Sequence, residues 1–289
     1  MLAADPTWLA RSIGGYYDFV DRIVVSYDEQ GRGWSGRQVS SEECLSQLKA
    51  LDLDRKLVLA PGSYGTTFRK SDPIEGETRQ RNAARSEAGV GADWVLQIDT
   101  DEYLPSFAAL ASILDLAGEK KLPAVDWPMR VLYRRLRDGR FLEVANADGS
   151  IHTEYPGLVA VRPDVELTHC RRAEVPFLRP VVVGDRASLE VSRPPGEKET
   201  RIEQLSVSQV ILHNSWARDA RSTWRKVSTW GHSEGHRAQI YFALKWLPAP
   251  LRWKTMRDFH PILGDLWPRL LPTDTIATPA GSDMRPRDA

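Results

Sequence analysis

The sequence has few cysteines, no net charge and no long apolar run. Cys44 and Cys170 are too few for a disulfide scaffold or a four-cysteine zinc site, and they favour a reducing, cytosolic compartment. The 39 Lys and Arg residues balance 39 Asp and Glu residues, which argues against a broad electrostatic surface for nucleic acid. The longest apolar runs, such as residues 181–183, are far too short to span a bilayer.

What is present is an ordinary globular composition. Hydrophobic residues make up 42% of the 289 residues and charged residues 27%, which excludes a largely disordered chain. The length lies near the size at which one core gives way to a second domain.

The first 120 residues alternate between short apolar strands and amphipathic helices. This pattern predicts a parallel α/β sheet covered on both faces. The predicted helices are 8–17, 40–51, 75–88 and 105–117, and the predicted strands are 21–27, 56–60 and 93–98.

The rest of the chain follows two other patterns. Asp138-Gly139 predicts a hairpin turn between residues 124–136 and 141–144. Further short strands are predicted at 158–162, 180–183 and 207–212, with an exposed loop at 193–200. Helices are predicted at 219–231 and 237–246, followed by a stretch rich in Trp and Pro to residue 271 and a disordered tail over 272–289.

The segment Asp99-Thr100-Asp101-Glu102 directly follows an apolar strand. In open α/β sheets ligands bind beyond the carboxyl ends of the strands, and a divalent cation would hold clustered carboxylates there together with phosphate oxygens. A solvated acidic turn that caps the next helix is the simpler alternative. A phosphatase of the haloacid-dehalogenase type is disfavoured, because Tyr103 stands where that pattern needs Thr or Val.

Four segments together resemble the GT-A glycosyltransferases, in particular the family-2-like bacterial enzymes. They are residues 20–28, residues 79–84 with the pattern R-N-x-A, residues 92–102 with the D-x-D turn, and residues 211–216 followed by Lys226 and residues 230–233. The resemblance implies an α/β fold with a GT-A-type, Rossmann-like mixed sheet flanked by helices and a helical C-terminal region. It covers roughly residues 1–235.

The resemblance also implies a division of the chain. Residues 1–120 would be the nucleotide-sugar-binding half of a GT-A domain, and residues 121–235 the acceptor-side half. Residues 236–271 would be a C-terminal helical extension, before the tail.

Roles for individual residues follow from the same resemblance. Asp28 would approach the base of a UDP- or GDP-sugar, and Arg81, Asp99 and Thr100 would bind the nucleotide-sugar. Asp99 and Asp101 would hold Mn²⁺ or Mg²⁺ on the diphosphate, and His213 would complete the coordination. A lone histidine at a strand end is, without the family pattern, more often structural.

An inverting transfer needs a carboxylate that takes the proton of the acceptor hydroxyl. Glu174 and Asp185 are the main candidates, and Glu154 is a weaker one. A saccharide or a lipid-linked acceptor would suit such an enzyme. The sequence leaves the oligomeric state open.

Two further features keep alternatives open. The loop at residues 2–5 departs from the family pattern, and the acidic pair that usually supplies the general base is not evident. A non-catalytic nucleotide- or glycan-binding assembly factor is therefore a second hypothesis. A nucleotidyltransferase is disfavoured because its glycine-rich phosphate loop is not evident.

The tract from Trp246 to Trp253, with the aromatics beyond it, predicts core packing or, less favoured, peripheral contact with the inner membrane face.

Overall fold

The computed structural model describes residues 1–3, 6–34, 38–39, 41–65, 72–229 and 237–273. The elements before the acidic turn follow the predicted alternation. They are α1 (Leu9–Gly14), β1 (Ile23–Asp28), α2 (Glu42–Leu51), β2 (Leu57–Gly62), α3 (Pro73–Ala88) and β3 (Val95–Leu96).

The remaining elements are mostly strands, followed by short helices. They are β4 (Glu102–Tyr103), α4 (Phe107–Glu119), β5 (Ala124–Asp126), β6 (Met129–Arg135), β7 (Phe141–Ala145), β8 (Leu158–Val161), β9 (Phe177–Val182), α5 (Leu189–Ser192), β10 (Glu199–Leu205), β11 (Ile211–His213), α6 (Ala220–Thr229), α7 (Arg237–Tyr241), α8 (Ala249–Arg252) and β12 (Arg269–Pro272). A π-helical turn, Phe242–Trp246, continues α7.

Local sequence signals explain several boundaries. The Asp72 side chain accepts the Ile74 N–H at 2.9 Å and caps α3, with Pro73 at the first helical position. Ser106 caps α4 in the same way by accepting the Ala109 N–H at 3.2 Å. Gly139 has φ of +89° in the turn between β6 and β7, as the Asp-Gly pair predicts.

The fold is mixed α/β, with two mixed five-stranded sheets flanked by helices. One sheet has the order β10–β9–β5–β8–β3, and the other has the order β12–β7–β6–β11–β4. Strands β1 and β2 form a separate parallel pair. The prediction of one parallel sheet within residues 1–120 is therefore wrong for β3, which pairs antiparallel with β8.

Other differences concern segments whose local pattern is weak. Residues 199–205 form β10, which begins inside the exposed loop predicted at 193–200 and continues through residues for which no element was predicted, because they pair with the buried β9. Residues 207–209 form a 3-10 turn, and only residues 211–213 are strand. Residues 269–272 form a strand against β7 within the predicted helical extension.

The predicted tail begins too early. Pro272 belongs to β12, and the backbone N–H of Thr273 donates to the Phe141 carbonyl at 2.7 Å. Residues 274–289, like the Trp230–Ser233 segment and the end of the predicted helix 219–231, lie outside the described residues.

Two apolar clusters fix the architecture. The first joins α1, β1, α2 and α4 to the sheets and includes Trp127 and Leu110, both fully buried. The second packs the C-terminal segment against β6 and β7 through Tyr133, Trp246 and Phe259. Core packing is thus confirmed for these C-terminal aromatics. None of the helices in the described ranges is both long enough and apolar enough to cross a bilayer.

Candidate active site

Strand pairing brings the acidic turn and His213 together across more than one hundred residues of sequence. In the β4–β11 pair, His213 lies opposite Glu102 and Leu212 opposite Tyr103. The Asn214 N–H donates to the Asp101 carbonyl at 2.8 Å, which extends this pairing by one residue. His213 Nε2 consequently lies 3.6 Å from Asp101 Oδ2.

Asp101 lies in a strongly cationic environment. Arg218, which follows β11, donates from Nη2 to Asp101 Oδ2 at 2.7 Å. Burial by itself raises the pKa of Asp101, but His213, Arg218 and Lys226 outweigh burial and hold this pKa well below its usual range. Burial lowers the pKa of His213, and the Asp101 carboxylate more than reverses that, so the pKa of His213 is raised.

Asp99 is held by two arginines from different parts of the chain. Arg81 of α3 donates to both carboxylate oxygens, from Nη1 to Oδ1 at 3.3 Å and from Nη2 to Oδ2 at 2.8 Å. Arg171 Nη2 lies 2.7 Å from Asp99 Oδ2. Burial opposes ionisation of Asp99, but Arg171 and Arg81 prevail and lower its pKa.

The third carboxylate of the turn, Glu102, is a structural anchor. It is 2% exposed, and Arg171 donates to its Oε2 at 2.8 Å. The same Oε2 accepts the Asp99 N–H at 2.9 Å, which closes the turn. Arg171 therefore bridges Asp99 and Glu102, and it was not among the sequence-derived candidates. Arg171 is 69 residues from Glu102 in the sequence, so no local spacing pattern predicts their contact.

The donor atoms present fit a divalent cation at Asp101 and His213 better than at Asp99. Two donors 3.6 Å apart can share one ion, since Mg²⁺–oxygen distances are about 2.1 Å. Mg²⁺ sites commonly use one or two protein ligands together with substrate phosphates, and an imidazole mildly favours Mn²⁺. Asp99 has both oxygens engaged by arginines, which disfavours its predicted role as a metal ligand. At Asp101 the arginine contact is to Oδ2, so a cation shared with His213 there would displace Arg218 from that oxygen.

A complete metal site made of protein ligands alone is not found in the described part of the chain. No group of three or more His, Cys, Asp and Glu side chains there is arranged to hold an ion. The cation of the family resemblance would therefore need phosphate oxygens or water in addition to Asp101 and His213.

Two other predicted nucleotide-sugar-binding residues, Asp28 and Thr100, have different surroundings: backbone N–H groups hold Asp28, and Thr100 is buried. Asp28 ends β1, and its carboxylate accepts four backbone N–H groups, from Gln30, Arg32, Tyr64 and Gly65. Burial raises the pKa of Asp28, but these N–H groups lower it overall. Asp28 thus joins the loop after β1 to the loop after β2. Thr100 is buried within the acidic turn.

The two predicted catalytic bases, Glu174 and Asp185, are engaged elsewhere. Glu174 is an exposed residue that accepts from Lys198 Nζ at 2.5 Å. Asp185 Oδ2 accepts from the Thr153 hydroxyl at 2.8 Å, and its Oδ1 accepts the N–H groups of Ala187 and Ser188, each at 3.1 Å. The structure does not bring either carboxylate into contact with Asp101 or His213.

Glu154, the weaker candidate, lies beside β6. Its backbone pairs with Met129 of β6, the strand that neighbours β11. Its carboxylate accepts from Trp267 Nε1 and lies 3.5 Å from His152 Nε2. Burial raises the pKa of Glu154, but His152 and Trp267, helped by the charge of His213, lower it overall.

A cavity of about 400 Å³ lies between β1 and β3, beside the acidic turn. Arg81 and Asp99 line it together with apolar residues such as Phe19, Trp94 and Phe107. Because the two strands have no hydrogen bonds to each other, space for this cavity remains between them.

Comparison with known proteins found no match from which a family or function could be assigned. The chain matches none of the protein-family models against which it was scanned, and no curated protein matches it.

Proposed function

We propose that this protein is a metal-dependent glycosyltransferase with a GT-A-type fold. It transfers a sugar from a UDP- or GDP-sugar to an acceptor hydroxyl, with inversion at the anomeric carbon. One observation carries the proposal: the second Asp of the D-x-D turn and the histidine at the end of β11 lie 3.6 Å apart, as the resemblance predicts from two distant segments.

The charges around this pair suit a diphosphate. Arg218 and Lys226 both lie close enough to lower the pKa of Asp101, and Arg218 donates to it directly. The Lys226 ammonium is held by the Ser215 carbonyl and hydroxyl, at 2.9 and 2.5 Å. Charge-assisted hydrogen bonds from such fixed cations bind phosphate oxygens strongly.

The chain's own residues divide the work in this proposal. Asp101 and His213 would hold Mn²⁺ or Mg²⁺, which supplies positive charge against the leaving nucleoside diphosphate. Arg218 and Lys226 bind phosphate oxygens that the cation does not reach. Arg81 and Arg171 fix Asp99 and thereby the backbone of the turn. Pre-organised charges of this kind cost no reorganisation when the sugar–phosphate bond breaks.

Glu154 is the base that we propose. Its lowered pKa keeps it ionised at neutral pH, and the charge of His213 contributes to that lowering, whereas Glu174 and Asp185 bond to residues elsewhere. His152 and Trp267 hold its carboxylate in place. In this role Glu154 accepts the proton of the acceptor hydroxyl as that oxygen attacks the anomeric carbon.

A donor screen tests the proposal. The purified chain is incubated with UDP- and GDP-sugars, Mn²⁺ and simple saccharide acceptors, and released nucleoside diphosphate is measured. Asp101→Asn should lower the turnover by about 10²-fold or more, as expected when charge stabilisation in the transition state is lost. Asp115→Asn, an exposed position on α4, is the matched control and should retain full turnover.

The second function, a non-catalytic nucleotide- or glycan-binding factor, is favoured by one observation. Both aspartates of the turn already pair with arginines, so the cluster is balanced without a ligand. Protection of the fold by a UDP- or GDP-sugar, with no release of nucleoside diphosphate under any condition of the screen, would select this function over the transferase.

A further inference from the structure

Four aliphatic side chains form an outward apolar face on the C-terminal helical segment. They are Ile240, Leu244, Leu247 and Leu251, with exposed fractions of 54%, 66%, 43% and 91%. They are spaced four, three and four residues apart along α7, the π-helical turn and α8. We call this set the C-terminal apolar face.

The C-terminal apolar face is distinct from the side of the segment that packs into the core. The opposite side of the same segment is buried through Tyr241, Phe242, Trp246 and Ala249, which pack in the second apolar cluster. The segment is thus anchored by one side, and its aliphatic side points to solvent. Contiguous exposed apolar residues of this kind mark interaction surfaces.

The charge along the segment that carries the face has one sign. From residue 237 to residue 257 the sequence contains no Asp or Glu. It contains five basic residues: Arg237, Lys245, Arg252, Lys254 and Arg257. Four of these residues, all but the half-buried Lys245, are exposed. An apolar stripe rimmed by cations matches the interfacial region of an anionic bilayer, which offers acyl chains beneath negative headgroups.

The segment that carries the face also packs against α6, the helix that contributes to the candidate active site. Trp224 of α6 is 43% exposed, and its ring contacts Phe242 at a centroid distance of 5.2 Å. Two residues further on, Lys226 contacts Ser215 beside the acidic turn. An aromatic ring at this junction suits the headgroup level of a membrane.

We propose that the C-terminal apolar face docks on a membrane surface rich in anionic phospholipid, with Ile240, Leu244, Leu247 and Leu251 inserted between headgroups. The docking itself is independent of the enzymatic proposal. A lipid-linked acceptor would then enter the candidate active site from this side, and that consequence rests on the proposed function.

Co-sedimentation of the full chain with vesicles tests the docking. Vesicles of phosphatidylcholine alone are compared with vesicles containing phosphatidylglycerol, at low and high salt. The chain should bind the anionic vesicles at least about tenfold more tightly than the neutral ones, and salt should weaken that binding. The double variant Leu244→Glu/Leu251→Glu should lose at least about tenfold in affinity.

The controls separate docking from other causes. Leu53→Glu/Val183→Glu changes two equally exposed apolar residues elsewhere, at 68% and 64%, and should bind vesicles like the unchanged chain. Asp101→Asn should also bind vesicles normally, and Leu244→Glu/Leu251→Glu should retain turnover of soluble substrates. Absence of donor turnover in the unchanged chain, together with normal vesicle binding, would therefore count against the enzyme proposal alone.

Three results would overturn the docking proposal. One is equal or no binding to the two kinds of vesicle. Another is an equal loss of vesicle binding in the Leu53/Val183 control. The third is a dimer in sedimentation equilibrium that Leu244→Glu/Leu251→Glu abolishes, because a second copy of the chain would then be the occupant of the face.

Discussion

At the scale of single residues, the acidic turn is organised by arginines as much as by its carboxylates. Arg171 contacts two carboxylates of the turn, and Arg81 also contacts the first one. The sequence drew attention to Asp99 and Asp101 through their D-x-D spacing. The ion pairs of Asp99 could not be predicted from local sequence, because its partners come from α3 and from the loop before β9.

Replacement of Arg171 tests how much that organisation contributes to stability. Arg171→Met leaves Glu102, at 2% exposure, without its cationic partner. Removing one partner of a buried ion pair costs about 3–5 kcal/mol, so the free energy of unfolding should fall by that amount. Urea denaturation measures it. Arg172→Met, at the exposed neighbouring position, should change it by less than about 0.5 kcal/mol; equal effects of the two variants would refute the bridging role.

Glu199 provides a pH-dependent test away from the candidate site. Burial opposes its ionisation, but Arg201, the Gly196 N–H, Arg179 and Arg193 lower its pKa from 4.5 to about 2. A lowered folded-state pKa means that the stabilisation is fully present above pH 4.5 and is lost as the pH falls towards 2.

Stability of the unchanged chain should therefore fall between pH 4.5 and pH 2 more steeply than that of Glu199→Gln, which has no carboxyl to protonate. Thermal unfolding across this range gives the comparison. Glu197→Gln, an exposed neighbour, should follow the unchanged chain. Parallel pH profiles for Glu199→Gln and the unchanged chain would contradict this account of β10.

At the scale of elements, local patterns predicted the longer helices and most strands but not their partners. The Asp-Gly turn predicted at 138–139 is confirmed, and the caps at Asp72 and Ser106, which were not predicted, likewise depend only on neighbouring residues. Strand β10 was missed because its Glu, Thr and Arg residues resemble a loop, while its pairing with β9 is non-local. The antiparallel pairing of β3 with β8 likewise depends on residues more than sixty positions away.

The C-terminal segment is fastened to the sheet by polar as well as apolar contacts. The Tyr241 hydroxyl donates to the Phe259 carbonyl at 2.8 Å and lies 2.9 Å from the Tyr133 hydroxyl, all in the second apolar cluster. Tyr241→Phe should lower the free energy of unfolding by about 1–3 kcal/mol, because two buried polar groups lose a partner. Tyr27→Phe, at a half-buried position in β1, is the control for chemical denaturation. A Tyr241→Phe variant as stable as the control would show that this hydrogen bond contributes nothing.

At the scale of the whole molecule, the candidate site is an assembly of distant segments. Neither spacing nor composition could place His213 beside Asp101; the resemblance to a family with this arrangement did so, and the β4–β11 register provides the geometry. Arg218 lies in a locally basic stretch with Arg221 and Lys226, and no local pattern pairs it with Asp101. Glu154 pairs with Met129 on the edge of β6 that faces away from β11, and no local pattern reveals that pairing.

The most direct test of the central claim is calorimetric titration of UDP and GDP into the protein, with Mn²⁺ and then with excess chelator. The account predicts that one of the two nucleotides binds at least about tenfold more tightly with Mn²⁺. It also predicts that both Asp101→Asn and His213→Gln remove this dependence, while His169→Gln, at an exposed position, retains it. Nucleotide affinity that is the same with and without Mn²⁺, or a metal dependence that survives in Asp101→Asn, would contradict it.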